Sequence, residues 1–261
     1  MNQIQFNNYF AIKNINGDFY LFDMSEYILK KDDNDLMSSF SQSMKDNGFC
    51  IIQGFVDKTV IKSKLSKIAQ NFSRKNDVRR TGVTKLMRPN FQRLDIGDYA
   101  QINARFSRMI TQFTWNKDSD FYDEIQDLIK FRNSFLKLEP QNFVYTINGK
   151  EYCDLPKFLQ YPIGGGFMNR HIDDRGEEFK APNFLLNLSK QGEDFDSNGV
   201  YYVDKNQKLL DLEPILDVGD LYAHDTETPH GVQSIDADKE LDIETLCGRF
   251  SINLSLEPFI R

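Results

Sequence analysis

The chain has 261 residues, with 39 acidic against 32 basic side chains, a formal net charge of −7 and a pI near 5.1. That balance argues against nucleic acid or an anionic membrane surface as the main partner. No apolar run approaches the roughly 18 to 20 residues of a membrane span, and the opening MNQIQFNNYF lacks a basic region followed by an apolar core, so the expectation is a cytoplasmic chain with no membrane contact. The three cysteines, Cys50, Cys153 and Cys247, are odd in number and far apart, and read as buried thiols in a reducing compartment, with no metal pair by spacing.

In chain order, two short apolar-rich runs beginning at Phe10 and Asp18 flank Asn16-Gly17, a turn-forming pair, and predict a hairpin. Leu36, Phe40 and Met44 recur every four residues behind Asn34 or Asp35 as a cap, and Gly48 follows, which predicts an amphipathic helix. A short buried strand over 48–54 comes next. Asp57 caps a second helix whose Ile61, Leu65, Ile68 and Phe72 form one apolar stripe.

Between 73 and 93 the periodicity vanishes and the composition turns basic, with Arg74, Lys75, Arg79, Arg80, Lys85, Arg88 and Arg93 against the single acid Asp77. Two readings of this long loop stay open: a solvated connection paired to acidic neighbours, or a lid in which some of Arg79, Arg80, Lys85, Arg88 and Arg93 recognise an anionic group on a substrate. Two further helices are predicted, one carrying Tyr99, Ile102, Phe106, Met109 and Phe113, the other Phe121, Ile125, Leu128, Ile129 and Leu136. Trp115 reads as a core anchor.

After Pro140 the texture changes. A hairpin pattern surrounds Asn148-Gly149, and strands are predicted over 157–161, 181–189, 199–204, 219–224, 228–235 and 247–256. No linker-like stretch lies near residue 140, so residues 1–261 read as one domain, with a mixed helical part over 1–140 and a jelly-roll core over 141–261. The fold class is mainly β with α, a jelly roll carrying the N-terminal helices on its outer sheet.

The chemistry-bearing kernel is His171-Ile-Asp173. On an extended segment, side chains two apart project to one side, so this pair can grip one ion. If the fold returns His230 to the same point, the three side chains make the two-histidine, one-carboxylate face that holds non-haem Fe(II) and leaves other positions open. Nineteen positions past His230, Arg249-Phe-Ser251 offers a guanidinium and a hydroxyl on one strand face, suited to a small carboxylate. The glycine-rich 164–166 lets the chain turn beside this site. His224 reads as a packing neighbour of the site, and Asp174 and Arg175 as solvated loop charges.

These features resemble the Fe(II)- and 2-oxoglutarate-dependent dioxygenases, a superfamily built on a double-stranded β-helix. The shared pattern is His171-Ile-Asp173, His230 fifty-seven residues after Asp173, and Arg249-Phe-Ser251, with Gly219-Asp220-Leu221 before the distal histidine. Tyr161-Pro162 and Gly48-Phe-Cys-Ile-Ile resemble the isopenicillin N synthase-like and plant-type branch. The resemblance implies that His171, Asp173 and His230 ligate Fe(II), that Arg249 pairs with the far carboxylate of 2-oxoglutarate, and that Ser251 and Tyr161 assist; Asn187, a polar residue among the apolar ones of its strand, reads as facing either the cosubstrate or outward. It further implies dioxygen as oxidant, release of succinate and carbon dioxide, and hydroxylation of a small-molecule metabolite. Because position 173 is Asp and neither Gly nor Ala, halogenation is disfavoured. Two alternatives stay open: an oxidase of the isopenicillin N synthase kind that uses no 2-oxoglutarate, and a jelly-roll binding module without chemistry. Oligomeric state is not legible in the sequence.

Overall fold

The computed structural model describes residues 3–6, 9–13, 19–23, 27–72, 105–111, 114, 117, 119–139, 144–173, 180–204, 207–242 and 244–258. The N-terminal strands are β1 (Gln3–Phe6), β2 (Tyr9–Lys13), β3 (Phe19–Asp23) and β4 (Ile28–Lys30). Then come α1 (Leu36–Asn47), β5 (Phe49–Gln53), α2 (Lys58–Asn71), β6 (Arg105–Phe106), β7 (Arg108–Thr111) and α3 (Tyr122–Leu136). The remainder is strand: β8 (Val144–Ile147), β9 (Lys150–Pro162), β10 (Gly166–His171), β11 (Asn183–Asn187), β12 (Val200–Val203), β13 (Leu209–Asp211), β14 (Leu221–His224), β15 (His230–Ile235) and β16 (Gly248–Pro258).

β1, β2 and β3 form a three-stranded sheet of their own, in which β2 and β3 are the hairpin predicted around Asn16-Gly17. The larger of the two main sheets runs β4-β5-β14-β11-β16-β9-β7, with β8 also beside β9, and the smaller runs β13-β12-β15-β10-β6. The spine of the larger sheet is the β9–β16 ladder, eleven antiparallel residue pairs from Gly248↔Pro162 to Pro258↔Tyr152.

Alternation along these strands sorts side chains onto two faces. On β16, Phe250, Ile252 and Leu254 turn outward and join Phe158, Phe184 and Leu186 under the helices, where Phe40 of α1, Ile61 of α2 and Leu128 of α3 pack on them. The opposite face of the same sheet looks into the jelly roll. There Phe49, Ile51, Tyr161, Leu185 and Tyr222 meet Val200, Tyr202 and Val232 of the smaller sheet. Asp57 caps α2 as read from the sequence, its carboxylate accepting from the Thr59 N–H at 2.7 Å. Asp35 precedes α1 without a side-chain cap.

Three expectations need correction. The helix expected to carry Phe106 and Met109 is strand instead: β6 pairs with β10 in the smaller sheet and β7 with β9 in the larger, so this ribbon joins the two sheets around the buried Ser107. The i, i+3 spacing of Phe106 and Met109 is a helical one, but the chain parts at Ser107 into two short strands, and the open edge of β9 takes the second of them. Strands β10 and β13 fall outside the predicted set because neither carries a clean apolar alternation. Of the cysteines only Cys50 is buried, its thiol pushed up to about 12 by burial; Cys153 is half-buried and Cys247 is exposed where the chain enters β16.

Candidate metal centre

His171 ends β10 and His230 begins β15, and the two are register partners in an antiparallel pair. Asp173 follows two residues on, with Ile172 between them half-exposed to solvent. One ligand atom from each of His171, Asp173 and His230 lies within 4.8 Å of the other two. Nε2 of His171 is 3.6 Å from Oδ1 of Asp173, and Nε2 of His230 is 3.7 Å from Oδ2. Those separations are too long for hydrogen bonds and suit ligands converging on one ion.

The protonation of both rings follows from their partners. Nδ1 of His171 sits 2.9 Å from the Asn169 carbonyl, and Nδ1 of His230 sits 2.9 Å from the Thr228 carbonyl. A carbonyl only accepts, so each Nδ1 carries a proton, and in the neutral ring each Nε2 then presents its lone pair toward Asp173. Asn183 donates from Nδ2 to Oδ2 of Asp173, and the Asp173 N–H donates to the Thr226 carbonyl at 2.9 Å. The turn before His230 is held in its own right: the Thr228 hydroxyl and the Asp225 N–H both donate to the Gly48 carbonyl, at 2.9 and 2.8 Å. This gives the Gly48-Phe49 stretch a physical role beside the centre. Ahead of β10, Gly164 and Gly165 adopt φ of 80° and 116°, the left-handed turn that starts the strand toward His171.

A cavity of about 480 Å³ opens onto the triad and continues between the sheets to Arg249, with Tyr161, Ser251, Tyr202 and Tyr222 also on its walls. Arg249 is 1 % exposed. Burial opposes its charge, but the Glu213 carboxylate at Nε and the Tyr222 hydroxyl, 3.1 Å from Nη2, hold it firmly charged and above its ordinary range. Two hydroxyls on the cavity wall, Tyr202 OH and Ser251 Oγ, are buried without a hydrogen-bond partner among the described residues, as is Asn253 Oδ1. Burial pushes the Tyr202 phenol well above its usual range, so it stays protonated and can donate. A guanidinium and unpartnered hydroxyls on one wall form a donor set for a carboxylate.

The structure thus brings His171, Asp173, His230, Arg249, Ser251 and Tyr161 to one cavity. Asn187 is not on its walls: its amide donates to the Ser189 and Asp217 carbonyls, at 2.7 and 3.0 Å, and ties down the turn before β14. His224 is buried with its ring 4.0 Å from that of His230, a packing neighbour as read from the sequence. Arg79, Arg80, Lys85, Arg88 and Arg93, together with Trp115, Asp174 and Arg175, lie outside the described residues. Residues that the sequence reading missed are Tyr202, Tyr222, Asn183, Asn253 and Glu213. A signal for Asn253 was available: from Arg249 to Glu257 polar and apolar residues alternate without a break, which marks one whole face of β16 as polar.

Fold and triad together describe a double-stranded β-helix with a His-Asp-His set on its cavity, an architecture shared with solved hydroxylases and an oxygenase. Among solved structures, a Pseudomonas putida prolyl-4-hydroxylase is similar with a TM-score of 0.56 and 13% identity, covering 85% of this chain and 99% of that one. A Trichoplax adhaerens prolyl hydroxylase, solved with a peptide fragment of hypoxia inducible factor, is similar with a TM-score of 0.54 and 16% identity, over 85% of this chain and 89% of that one. A Shewanella oneidensis protein described as an oxygenase gives 0.53 and 15%, over 88% and 89%. At these identities the likeness is one of fold. No protein-family model matches the chain, and no curated protein sequence matches it. Among the described residues no helix is long and apolar enough to cross a membrane.

Proposed function

We propose that this chain is an Fe(II)- and 2-oxoglutarate-dependent oxygenase that hydroxylates a small molecule. The observation that carries the reading is the convergence of three ligand atoms and a buried guanidinium on one cavity. The donor set would fit Fe(II): two imidazoles that, when neutral, offer Nε2, and one carboxylate, all three on the cavity wall. Bound there with 2-oxoglutarate and dioxygen, the metal supplies an oxidative decarboxylation to succinate and carbon dioxide and the oxidation of a substrate C–H bond.

The protein's own part is placement. Asn169 and Thr228 set the imidazole tautomers through their carbonyls, and Asn183 holds one oxygen of Asp173 so that Oδ1 keeps its direction. Arg249 and the Ser251 hydroxyl take the far carboxylate of 2-oxoglutarate, with the Tyr202 phenol as a further donor. The cavity volume of about 480 Å³, shared with the cosubstrate, supports a small-molecule substrate over a folded partner.

Asp173→Ala and His230→Ala should each stay folded and lose Fe(II) affinity by orders of magnitude, measured by anaerobic titration. Stoichiometric iron in either variant would sink the metal assignment. Dioxygen consumption by the iron-loaded wild type without succinate would favour the oxidase reading, and an absence of iron binding would leave the binding module.

A further inference from the structure

Glu213 is a buried carboxylate to which the mechanism above gives no part. It lies between β13 and β14, is 2 % exposed, and its Oε1 accepts both the Val200 N–H, at 2.9 Å, and the Nε–H of Arg249. On another side of the guanidinium, Tyr222 accepts from Nη2 and sets its ring 5.7 Å from Cζ. Arg249 lines the cavity and Glu213 does not. The carboxylate therefore holds the guanidinium at its Nε edge from outside the cavity, Tyr222 takes one N–H of Nη2, and the remaining Nη hydrogens meet no acceptor among the described residues.

This arrangement is costly for the fold. Oε2 of Glu213 is buried and meets no donor among the described residues. Gly199, at φ 148°, makes room for it: a Cβ there would lie 2.0 Å from Cγ of Glu213. A buried ion pair with an unmatched oxygen needs a reason beyond packing, because replacing both partners by apolar side chains of similar volume would fill the space more cheaply.

We infer, building on the 2-oxoglutarate reading, that Glu213 is a positioning residue that determines which anions the pocket accepts. It aims the Nη edge of Arg249 at the cavity and cancels the guanidinium's net charge. A lone buried cation draws in any small anion, whereas a compensated one gains mainly from a planar carboxylate that matches its fork. Glu213 thus makes the pocket discriminate by shape and reach, favouring the far carboxylate of a metal-anchored 2-oxo acid over chloride or phosphate.

Calorimetric titration of 2-oxoglutarate into the anaerobic, Fe(II)-loaded full chain tests this without turnover. Glu213→Gln keeps an acceptor for Nε and removes the charge. Its 2-oxoglutarate Kd should rise about tenfold between low salt and about 0.2 M sodium chloride, against about twofold for the wild type, since an uncompensated buried charge is poorly screened and attracts chloride. Glu213→Asp should keep the wild-type salt response. Glu213→Ala, which loses aim and charge together, should bind more weakly at both salts and also respond to chloride, so either folded variant decides the matter. A folded Glu213→Gln with the wild-type salt response overturns the role of Glu213 alone. A wild type that binds iron but no 2-oxoglutarate overturns the functional reading and this inference with it.

Discussion

Three guanidiniums are buried among the described residues, those of Arg108, Arg132 and Arg249; the last two pair with carboxylates, on opposite faces of the larger sheet, and differ in one respect. On the outer face, Arg132 of α3 pairs with Asp154 of β9, both essentially inaccessible, and its Cζ lies 5.2 Å from the Tyr145 ring. On the inner face, Arg249 of β16 pairs with Glu213, equally buried, and its Cζ lies 5.7 Å from the Tyr222 ring. The outer network is closed. Arg132 donates to Asn133 Oδ1 from both Nε and Nη2, Asn133 donates to the Tyr145 hydroxyl, and Tyr145 donates to Asp154 Oδ2 at 2.8 Å. The inner network is open: among the described residues Glu213 Oε2, Tyr202 OH and Ser251 Oγ are buried without partners. The same ion pair is thus a structural clasp where every valence is matched, and part of a candidate binding site where valences face a cavity.

The largest expected effect breaks the closed network. Arg132→Ala leaves Asp154 and Tyr145 buried without their cation and should cost about 3 to 5 kcal/mol of stability in denaturant melts. The 2-oxoglutarate Kd of the fraction that remains folded should not change. If Arg132→Ala instead weakened cosubstrate binding at full stability, the contrast between the two faces would fail.

Arg249→Ala should do the reverse. It should weaken 2-oxoglutarate binding by roughly 2 to 5 kcal/mol while sparing Fe(II) affinity, because a charge-assisted carboxylate pair is lost. Arg249→Lys should recover only part, since an ammonium cannot reproduce the fork. An unchanged cosubstrate requirement in Arg249→Ala would move the carboxylate site elsewhere.

The smallest effect is one of pH, and it contrasts two aspartates flanking the loop that carries Glu213. Asp211 is pushed up to about 7 by burial and by the neighbouring Glu213 charge. Its folded pKa lies above the unfolded value of about 4, so the stability it contributes is present below that value and is lost as pH rises toward 7. Asp217 lies opposite: the Lys58 and Lys190 ammoniums outweigh its partial burial and hold it at about 2. Its contribution is present above about 4 and is lost as pH falls toward 2. Melting Asp211→Asn and Asp217→Asn across pH 3 to 8 should flatten the neutral-side slope in the first and the acid-side slope in the second. A neutral-side slope in Asp211→Asn equal to that of the wild type would remove the buried acid from the account.

What was legible in the sequence was short-range. His171 and Asp173 share a face by the strand period, and Arg249 and Ser251 do so in the same way, so both pairs could be read without the fold. Helices α1, α2 and α3 announced themselves by apolar recurrence. What was not legible depends on pairing across long separations. Glu213 meets Arg249 thirty-six residues away and sits in a Leu-Glu-Pro stretch with nothing local to mark it as buried. Asn183 reaches Asp173 only because β11 and β14 place it beside His224. The β6–β7 ribbon was misread because its i, i+3 spacing follows the helical period, and its pairing with β10 and β9, two distant strands, overrides that local signal.

The unbroken alternation of β16 bears on how such a protein can change over time. Phe250, Ile252 and Leu254 answer to the helices, while Arg249, Ser251 and Asn253 answer to the cavity. Replacements at the odd-numbered positions can alter what the cavity accepts without disturbing the packed layer, and replacements at the even ones can retune stability without touching the chemistry. The same ribbon forbids a single-residue insertion or deletion between Gly248 and Pro258, which would exchange the two faces and bury the polar row under the helices. Divergence along this strand therefore proceeds by substitution, with length held constant and the two selective pressures interleaved one residue apart.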